Sequence, residues 1–274
     1  MIMEILSNFI FQLLFTVGVI VVFGLIIALC RRAFCHIVGE KSTKIIIATG
    51  AIGTPIHELS HAIMCIIFGH KIVEMKLYQP NSEDGTLGYV SHTYNPKNLY
   101  HQVGNFFIGV APIIGGSAIL LLLMSLLTPN VYSAVSIELE FASLISADLL
   151  DASTYEYFFK IFWAIIKEIF WFGNLSDWMW WIFIVLAIMI AMHMEVSAAD
   201  IKGGAGGFAF IAVILLVADI IIGLISPELL DELTSTMMSV SAPVAGFLAI
   251  SAVFSGIMIM LALIIKGGLK IFKK

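Results

Sequence analysis

Two histidines and a glutamate in one short stretch are the residues of this chain best suited to chemistry. The stretch reads Gly-Thr-Pro-Ile-His-Glu-Leu-Ser-His-Ala over residues 53–62. Because His57 and His61 are four residues apart, a helix places both imidazoles on one face, where a single tetrahedral zinc ion can take a nitrogen from each. Glu58 directly follows His57 and can act as general base toward a water that the metal activates. The alternative is a helix whose polar face packs against other polar groups.

A catalytic zinc site needs a third protein ligand, and the residues around 195–200 offer several. Asp200 lies just beyond an apolar run and is followed by glycines at 203 and 204, so its carboxylate can reach back toward the histidines. Its alternative role is to cap the next helix. Glu195 and His193 are rivals, because a carboxylate or a third imidazole would also serve. Spacing alone favours Asp200 without excluding the other two.

Composition places these residues in a membrane protein. Of the 274 residues, 60% are hydrophobic and 12% are charged, whereas a soluble domain has about 25% charged residues. Several apolar runs approach 20 residues, the length that crosses a bilayer. The chain has no basic stripe suited to nucleic acid. Its first apolar run lacks a basic n-region and a small-residue cleavage site, so we expect a span there and not a cleavable signal peptide. We therefore expect a lipid bilayer and a membrane protein substrate as partners, and no nucleic acid.

The fold class that follows is an all-α polytopic membrane protein with about six transmembrane helices and a small β-hairpin after the metal-binding helix. We expect the spans at residues 5–30, 44–68, 104–127, 178–194, 207–225 and 237–265. The expected organisation has five parts: a first span and loop at 1–43; the metal-binding helix, hairpin and second core helix at 44–127; an acidic, partly interfacial connection at 128–177; a third core helix with the candidate third ligand at 178–206; and two C-terminal spans with a basic tail at 207–274.

The second span is interrupted just before the histidines. Gly50, Gly53 and Pro55 lie there, and Thr54 can cap a helix whose first turn holds Pro55. We therefore expect the histidine-bearing helix to start or kink at membrane depth. A broken helix in a membrane lines a cavity, because its freed backbone groups need partners. The alternative is a kink that serves packing only.

A β-hairpin is predicted directly after the metal-binding helix. Residues 72–78 alternate as a strand does, residues 80–85 are rich in turn formers, and residues 86–92 alternate again. A strand edge beside a metal site can hold an extended peptide by β-augmentation. The alternative is an ordinary surface hairpin.

Charge indicates how the chain lies in the membrane. Aromatic residues and one lysine-bearing face at 157–172 predict a helix in the interface, with a partial seventh span as the alternative. The tail carries four lysines, which favours a cytoplasmic C-terminus and, with six spans, a cytoplasmic hairpin. The basic loop with Arg31, Arg32, Lys41 and Lys44 opposes this orientation. The acidic connection at 128–177 and the acidic connection between the fifth and sixth expected spans both support it.

The motif at 54–62 and the Phe-Gly-His-Lys exit at 68–71 resemble the metal-binding helix of the site-2 protease family of intramembrane zinc metalloproteases. In that family a glycine-containing exit, a β-hairpin and a second core helix follow, and this order recurs here. Asn105 and the run at 109–116 resemble the second core helix. Asp200 is similar to the family's third ligand, although Ile201 and Lys202 replace the immediate glycine. The resemblance covers residues 45–125 and 180–210.

The resemblance implies a zinc-dependent intramembrane endopeptidase, in a bacterial-type cell membrane with its active site toward the cytoplasm. Its Zn²⁺ would be held by His57, His61 and Asp200, with Glu58 as the catalytic base. Asn105 would bind substrate, or else form an interhelical hydrogen bond. The alternative function is a proteolytically inactive membrane scaffold or binding protein of the same fold.

Overall fold

The computed structural model describes residues 2–143 and 152–271, and 82% of it is helical. A first long helical stretch consists of α1 (Ile2–Leu13), a π-helical turn (Leu14–Gly18) and α2 (Val19–Val38). The later helices are α3 (Lys41–Ile67), α4 (Leu99–Leu127), α5 (Pro129–Ser143), α6 (Ala152–Ile169), a short 3₁₀ turn (Phe172–Ser176), α7 (Trp178–Ala191), α8 (Ala198–Ile225) and α9 (Pro227–Ile271).

Four helical stretches in the described residues are long and apolar enough to cross a membrane, which supports a membrane protein. They are Ile2–Val38, Leu99–Leu127, Ala198–Ile225 and Val244–Ile264. The structure thus shows four of the six expected spans. Of the other two, α3 carries the polar site residues. The second, α7, has only 14 residues, or about 21 Å of helix, against a hydrocarbon core of about 30 Å.

The histidine-bearing helix α3 is continuous and does not start at Pro55, contrary to one expectation. It runs from Lys41 to Ile67 with Pro55 inside it, and the Thr54 hydroxyl lies 3.3 Å from His193 Nδ1 instead of capping a helix. The helix ends where Gly69 adopts a φ of 69°. There the amide of His70 donates to the Cys65 carbonyl at 2.8 Å, which is the closing bond of a Schellman motif.

The predicted hairpin follows directly, and its two strands are shorter than expected. Strands β1 (Lys71–Lys76) and β2 (Tyr89–Thr93) pair antiparallel, with Lys76 opposite Tyr89 and a register shift between Ile72 and Glu74. The segment 77–88 that joins them returns to α3. Its Tyr78 hydroxyl donates to the Ile47 carbonyl of α3 at 2.6 Å. The hairpin is therefore anchored along the helix that carries the histidines.

Small residues bring the helices of the site into close contact, as glycines do where apolar helices pack in membranes. A Cβ on Gly53 would lie 2.5 Å from His193 Cδ2, so α3 and the end of α7 touch there. A Cβ on Gly109 would lie 2.8 Å from the Asp200 carbonyl oxygen, so α4 meets the start of α8. α4 also packs on α3 where Gly115 faces the Ser60 hydroxyl. As a result, α4 touches both elements that carry the predicted ligands.

The acidic connection is helical where the structure describes it. Helix α6 covers most of the predicted interfacial helix at 157–172, and two of its aromatic residues are exposed, Phe159 and Trp163. Asp148 and Asp151 of this connection lie outside the described residues. The placement of α6 in the membrane interface stays a prediction.

Candidate zinc centre

The two motif histidines face each other across one turn of α3. Their Nε2 atoms are 3.1 Å apart, and the rings meet edge to face with centroids 4.8 Å apart. His61 is buried, with 6% of its surface exposed. The four-residue spacing therefore places both imidazoles toward one point, as predicted from the sequence.

Backbone carbonyls on α4 and on the segment after α7 orient these rings. His57 Nδ1 lies 2.6 Å from the His193 carbonyl oxygen, and His61 Nδ1 lies 2.7 Å from the Ile108 carbonyl oxygen. A carbonyl oxygen only accepts, so each neutral ring donates its proton from Nδ1. Each Nε2 atom therefore carries no proton and has a free lone pair. This is a tautomer in which histidines bind metal ions.

Asp200 joins the histidines from the first turn of α8. Its Oδ1 lies 3.4 Å from His61 Nε2, and one ligand atom of each of His57, His61 and Asp200 lies within 4.8 Å of the others. Its Oδ2 accepts from the amide of Ser197 at 2.8 Å, while the Ser197 hydroxyl accepts from the Asp200 amide in a capping box. Asp200 can therefore be both a helix cap and a candidate metal ligand, because one carboxylate oxygen accepts from Ser197 and the other faces His61.

The rival ligands have other partners. Glu195 Oε2 lies 3.2 Å from Arg31 Nε in an ion pair. The imidazole of His193 lies between two threonine hydroxyls, 3.0 Å from that of Thr49 and 3.3 Å from that of Thr54. Within residues 2–143 and 152–271, the group that could hold a metal is His57, His61 and Asp200.

The donor set fits zinc. Bonds of 2.0–2.1 Å in a tetrahedron place neighbouring ligand atoms about 3.3 Å apart. The His57–His61 and His61–Asp200 separations of 3.1 Å and 3.4 Å lie on either side of that value, and all three ligand atoms lie within 4.8 Å of one another. Two imidazole lone pairs and a carboxylate oxygen converge with no proton between the two nitrogens. Such a group of acceptors repels itself unless a cation lies among them.

Glu58 lies beside this group and faces a cavity. Its side chain is 6% exposed, and it lines a cavity of about 590 Å³ together with His57 and Thr54. The other cavity walls come from the start of α3, Arg31 of α2, the segment 80–88 and the segment between α7 and α8. A carboxylate with access to such a space can reach a water or a substrate amide.

Gly88, which sequence reasoning did not single out, places the hairpin directly over Glu58. A Cβ on Gly88 would lie 2.8 Å from Glu58 Cγ and 2.9 Å from the Lys76 carbonyl oxygen. A glycine inside a predicted strand was the available signal, since it marks a close approach of another group. The hairpin is therefore part of the wall of the site.

Asn105 has a less direct relation to the site. It is buried at 7% exposure on α4, and its backbone oxygen faces Gly204 of α8. It is not among the residues that line the cavity, and its side chain makes no hydrogen bond to another described residue. A substrate-binding role for Asn105 stays a prediction.

Histidines also join the hairpin to the ends of α3 and α4. His70 Nδ1 lies 3.0 Å from His92 Nδ1, and His70 Nε2 lies 3.0 Å from the His101 carbonyl oxygen. Burial lowers the pKa of both His70 and His92, and the neighbouring imidazoles lower it further for each. Both rings are therefore neutral near pH 7, which allows them to share a hydrogen bond.

The fold and this site define a helical membrane protein with a candidate zinc centre. A family model described as "Putative zincin peptidase" matches residues 50–155, the region with the H-E-x-x-H motif, the hairpin and α4. No curated protein and no solved structure matches the chain. The similarity supports a zinc metallopeptidase-like chain, and zinc is the cofactor that both the family and the donor set imply.

Proposed function

We propose that this protein is a zinc-dependent intramembrane endopeptidase of the site-2 protease type. One observation supports this above the others: the lone pairs of His57 and His61 and an oxygen of Asp200 converge beside the cavity-facing Glu58. The surrounding helices include four that could cross a membrane. Ionisable residues are costly among apolar helices and are kept there for function.

The chemistry divides between metal and protein. Zinc in this site would supply Lewis acidity, which lowers the pKa of water and polarises a peptide carbonyl. The Glu58 carboxylate accepts the proton of the water that attacks the carbonyl carbon. It then donates that proton to the departing amine, so one water is consumed as the carbon–nitrogen bond breaks. The carbonyls of His193 and Ile108 keep the two imidazoles oriented throughout.

The proposed substrate is a segment in or near the membrane. A helical segment buries its scissile carbonyls in hydrogen bonds, so it must unwind before it is cut. The two-stranded sheet has an outer edge on each strand, and an edge strand offers unpaired backbone groups to an extended chain. The segment 77–88 continues from that sheet to Glu58, which gives an unwound peptide a path to the site.

We also propose a bacterial-type cell membrane with the site toward the cytoplasm. The support is the lysine-rich C-terminal tail and the acidic character of the connections assigned to the outside. In this proposal residues 44–127 and 178–206 form the catalytic unit, because they contain every group named above.

Glu58→Gln tests the proposal most directly. The purified full chain in detergent is assayed for bound zinc and for cleavage of a panel of single-span membrane proteins, with cut sites read by mass spectrometry. We expect one zinc per chain in both proteins, and loss of cleavage by at least about 100-fold in the variant, because the amide keeps the shape and removes the base. A variant that cleaves at the parental rate would show that Glu58 is not the base. Stoichiometric zinc without cleavage in the parent would favour the inactive scaffold.

A proline scan of β1 and β2 tests the path of the substrate. Proline removes one backbone donor and leaves the zinc ligands untouched, so at the edge that receives substrate it should reduce turnover while zinc content stays at the parental value. Proline at exposed positions of the loop 94–98 serves as the control. Full activity at every strand position would contradict β-augmentation.

A further inference from the structure

The segment between α7 and α8 contacts two of the three candidate ligands. Residues 192–197 form no regular helix or strand. The His193 carbonyl accepts from His57 Nδ1 at 2.6 Å, and Ser197 exchanges two hydrogen bonds with Asp200. Because a backbone carbonyl and a helix cap move with their own segment, a shift of this segment displaces His57 and Asp200 together.

The two ends of this segment are held differently. Near its start, the His193 imidazole lies between Thr49 and Thr54, and its ring packs on Gly53. Near its end, Ser197 is exposed, and its hydrogen bonds are those of the capping box and one from the Ile201 amide to its carbonyl, all within the start of α8. Between these ends, Glu195 forms an ion pair with Arg31 of α2 at 3.2 Å, which links the segment to α2. Both side chains are about three-quarters buried, at 27% and 23% exposure.

The charges of this pair also bear on the metal site. Arg31 lies close enough to act electrostatically on the imidazoles of His57 and His193. Without Glu195, an uncompensated guanidinium would repel a cation held by His57 and the other candidate ligands. Without Arg31, Glu195 would be a free carboxylate beside the same cavity, five residues from Asp200 and chemically equivalent as a zinc ligand.

We propose that the Arg31–Glu195 ion pair is a positioning device for the zinc centre, a role that rests on the proposed zinc peptidase function. The pair fixes residues 192–197, which hold His57 and Asp200 in their relative places. It also withholds the Glu195 carboxylate from the metal, so that Asp200 supplies the third ligand. Arg31 and Glu195 are positioning residues, since neither touches the candidate ligand atoms in the structure.

A charge-swap experiment on the purified full chain tests this role. The dissociation constant for Zn²⁺ is measured by competition with a chelator for the parent, Arg31→Glu, Glu195→Arg and the double swap. Each single change places like charges together and releases residues 192–197, so we expect zinc affinity to fall about 10-fold or more, the range typical for loss of a group that orients metal ligands. In Arg31→Glu this loss must outweigh the added negative charge, which by itself attracts a cation. The double swap restores the pair, and its affinity should return to within about 3-fold of the parental value.

Arg32→Glu is the matched control. Arg32 is the neighbouring arginine of α2, it is exposed, and no ion pair with a described residue holds it. The same change of charge there should leave zinc affinity unchanged. The visible spectrum of the Co²⁺-loaded protein adds a second readout, because it follows the number and type of ligands. Arg31→Gln should alter that spectrum, and Arg31→Gln combined with Glu195→Gln should restore it, since the free carboxylate is removed.

The outcomes separate this inference from the proposed function. Parental zinc affinity in both single variants, or no recovery in the double swap, overturns the positioning role while the zinc peptidase stands. A parent that binds no zinc overturns the proposed function itself, and this inference with it. If a charge-reversed variant is not recovered from membranes, Arg31→Gln and Glu195→Gln replace it, and parental affinity and an unchanged Co²⁺ spectrum in both overturn the inference.

Discussion

Two groups of buried polar residues lie among the apolar helices, and they are built in opposite ways. In the candidate zinc centre, two imidazoles donate outward to backbone carbonyls and direct their lone pairs inward. In the second group, between α1, α8 and α9, side chains form hydrogen-bonded pairs: Asn8 donates to Asp231 and Gln12 donates to Thr234, each at 2.8 Å. Acceptor atoms that converge on one point indicate a cation site. Donors paired with acceptors across helices indicate hydrogen bonds that hold the helices together.

The two groups also differ in their access to solvent. The zinc centre adjoins a cavity through Glu58, whereas Gln12 and Asp219 are fully buried at 0% exposure. Neither oxygen of Asp219 has a hydrogen-bond partner in the described structure, nor does Gln12 Oε1. An aspartate in an apolar helix can therefore face other candidate metal ligands, as Asp200 does, or lie fully buried without a hydrogen bond from a described residue to its oxygens, as Asp219 does.

The largest expected effect is the loss of zinc binding on substitution of Asp200, and it distinguishes Asp200 from Asp219. Asp200→Ala removes one of the three proposed ligands, so zinc affinity should fall by more than about 100-fold, beyond the loss expected for a residue that only orients a ligand. Cleavage should disappear with the metal, as it should when a chelator strips the parent, and zinc should restore only the parent. Zinc content by elemental analysis is the measurement.

Glu195→Ala is the control for that prediction, because it removes a nearby carboxylate that does not face the histidines. It should reduce zinc affinity much less than Asp200→Ala. The reverse ranking would move the third ligand to Glu195 and weaken the likeness to site-2 proteases.

Gly88→Ala tests whether the cavity beside Glu58 matters for turnover at the zinc centre. The new Cβ would lie 2.8 Å from Glu58 Cγ and 2.8 Å from Thr54 Cγ2, so the hairpin must shift away from the base. A displacement near 1 Å reduces turnover by about 10- to 100-fold, with zinc content unchanged. Gly206→Ala, at a position with open space around its Cβ, should keep parental turnover. Parental turnover in both variants would mean that the hairpin does not shape the site.

Asp219→Asn is expected to have the smallest effect of these substitutions, and it should raise stability where the others reduce zinc binding or turnover. The amide adds a donor beside Gln12, whose Oε1 has no hydrogen-bond partner among the described residues. It replaces a fully buried carboxyl group whose oxygens meet no hydrogen-bond geometry in the described structure. Unsatisfied buried groups cost about 1–3 kcal/mol, so unfolding in a denaturing detergent should shift toward higher stability by about 1 kcal/mol, with cleavage unaffected.

Asp231→Asn makes the same chemical change where the carboxylate already accepts from Asn8, so it should give no gain in stability. A loss of activity in Asp219→Asn would instead assign a functional role to the second polar group.

Much of the local structure was readable from the chain. The four-residue spacing of His57 and His61, the glycine-terminated end of α3 and the alternation of the hairpin are local patterns, and the structure confirms each of them. Of the two forms expected for the histidine-bearing helix, a start or a kink near Pro55, the structure excludes the start, because α3 runs through Pro55. A proline in a long apolar helix is tolerated when neighbouring elements supply polar partners. The six expected spans are not confirmed, because four helices of the described residues are long and apolar enough to cross a membrane and the apolar run at α7 forms a helix of only 14 residues.

The convergence of the site depended on contacts between distant parts of the chain. Sequence left Asp200, Glu195 and His193 as rivals because each lies within a few residues of the others. Tertiary contacts separated them: Glu195 meets Arg31, His193 meets two threonines of α3, and Asp200 turns one oxygen to its cap and the other to His61. Spacing along a helix fixes which side chains share a face, but only packing between helices decides which lone pairs meet.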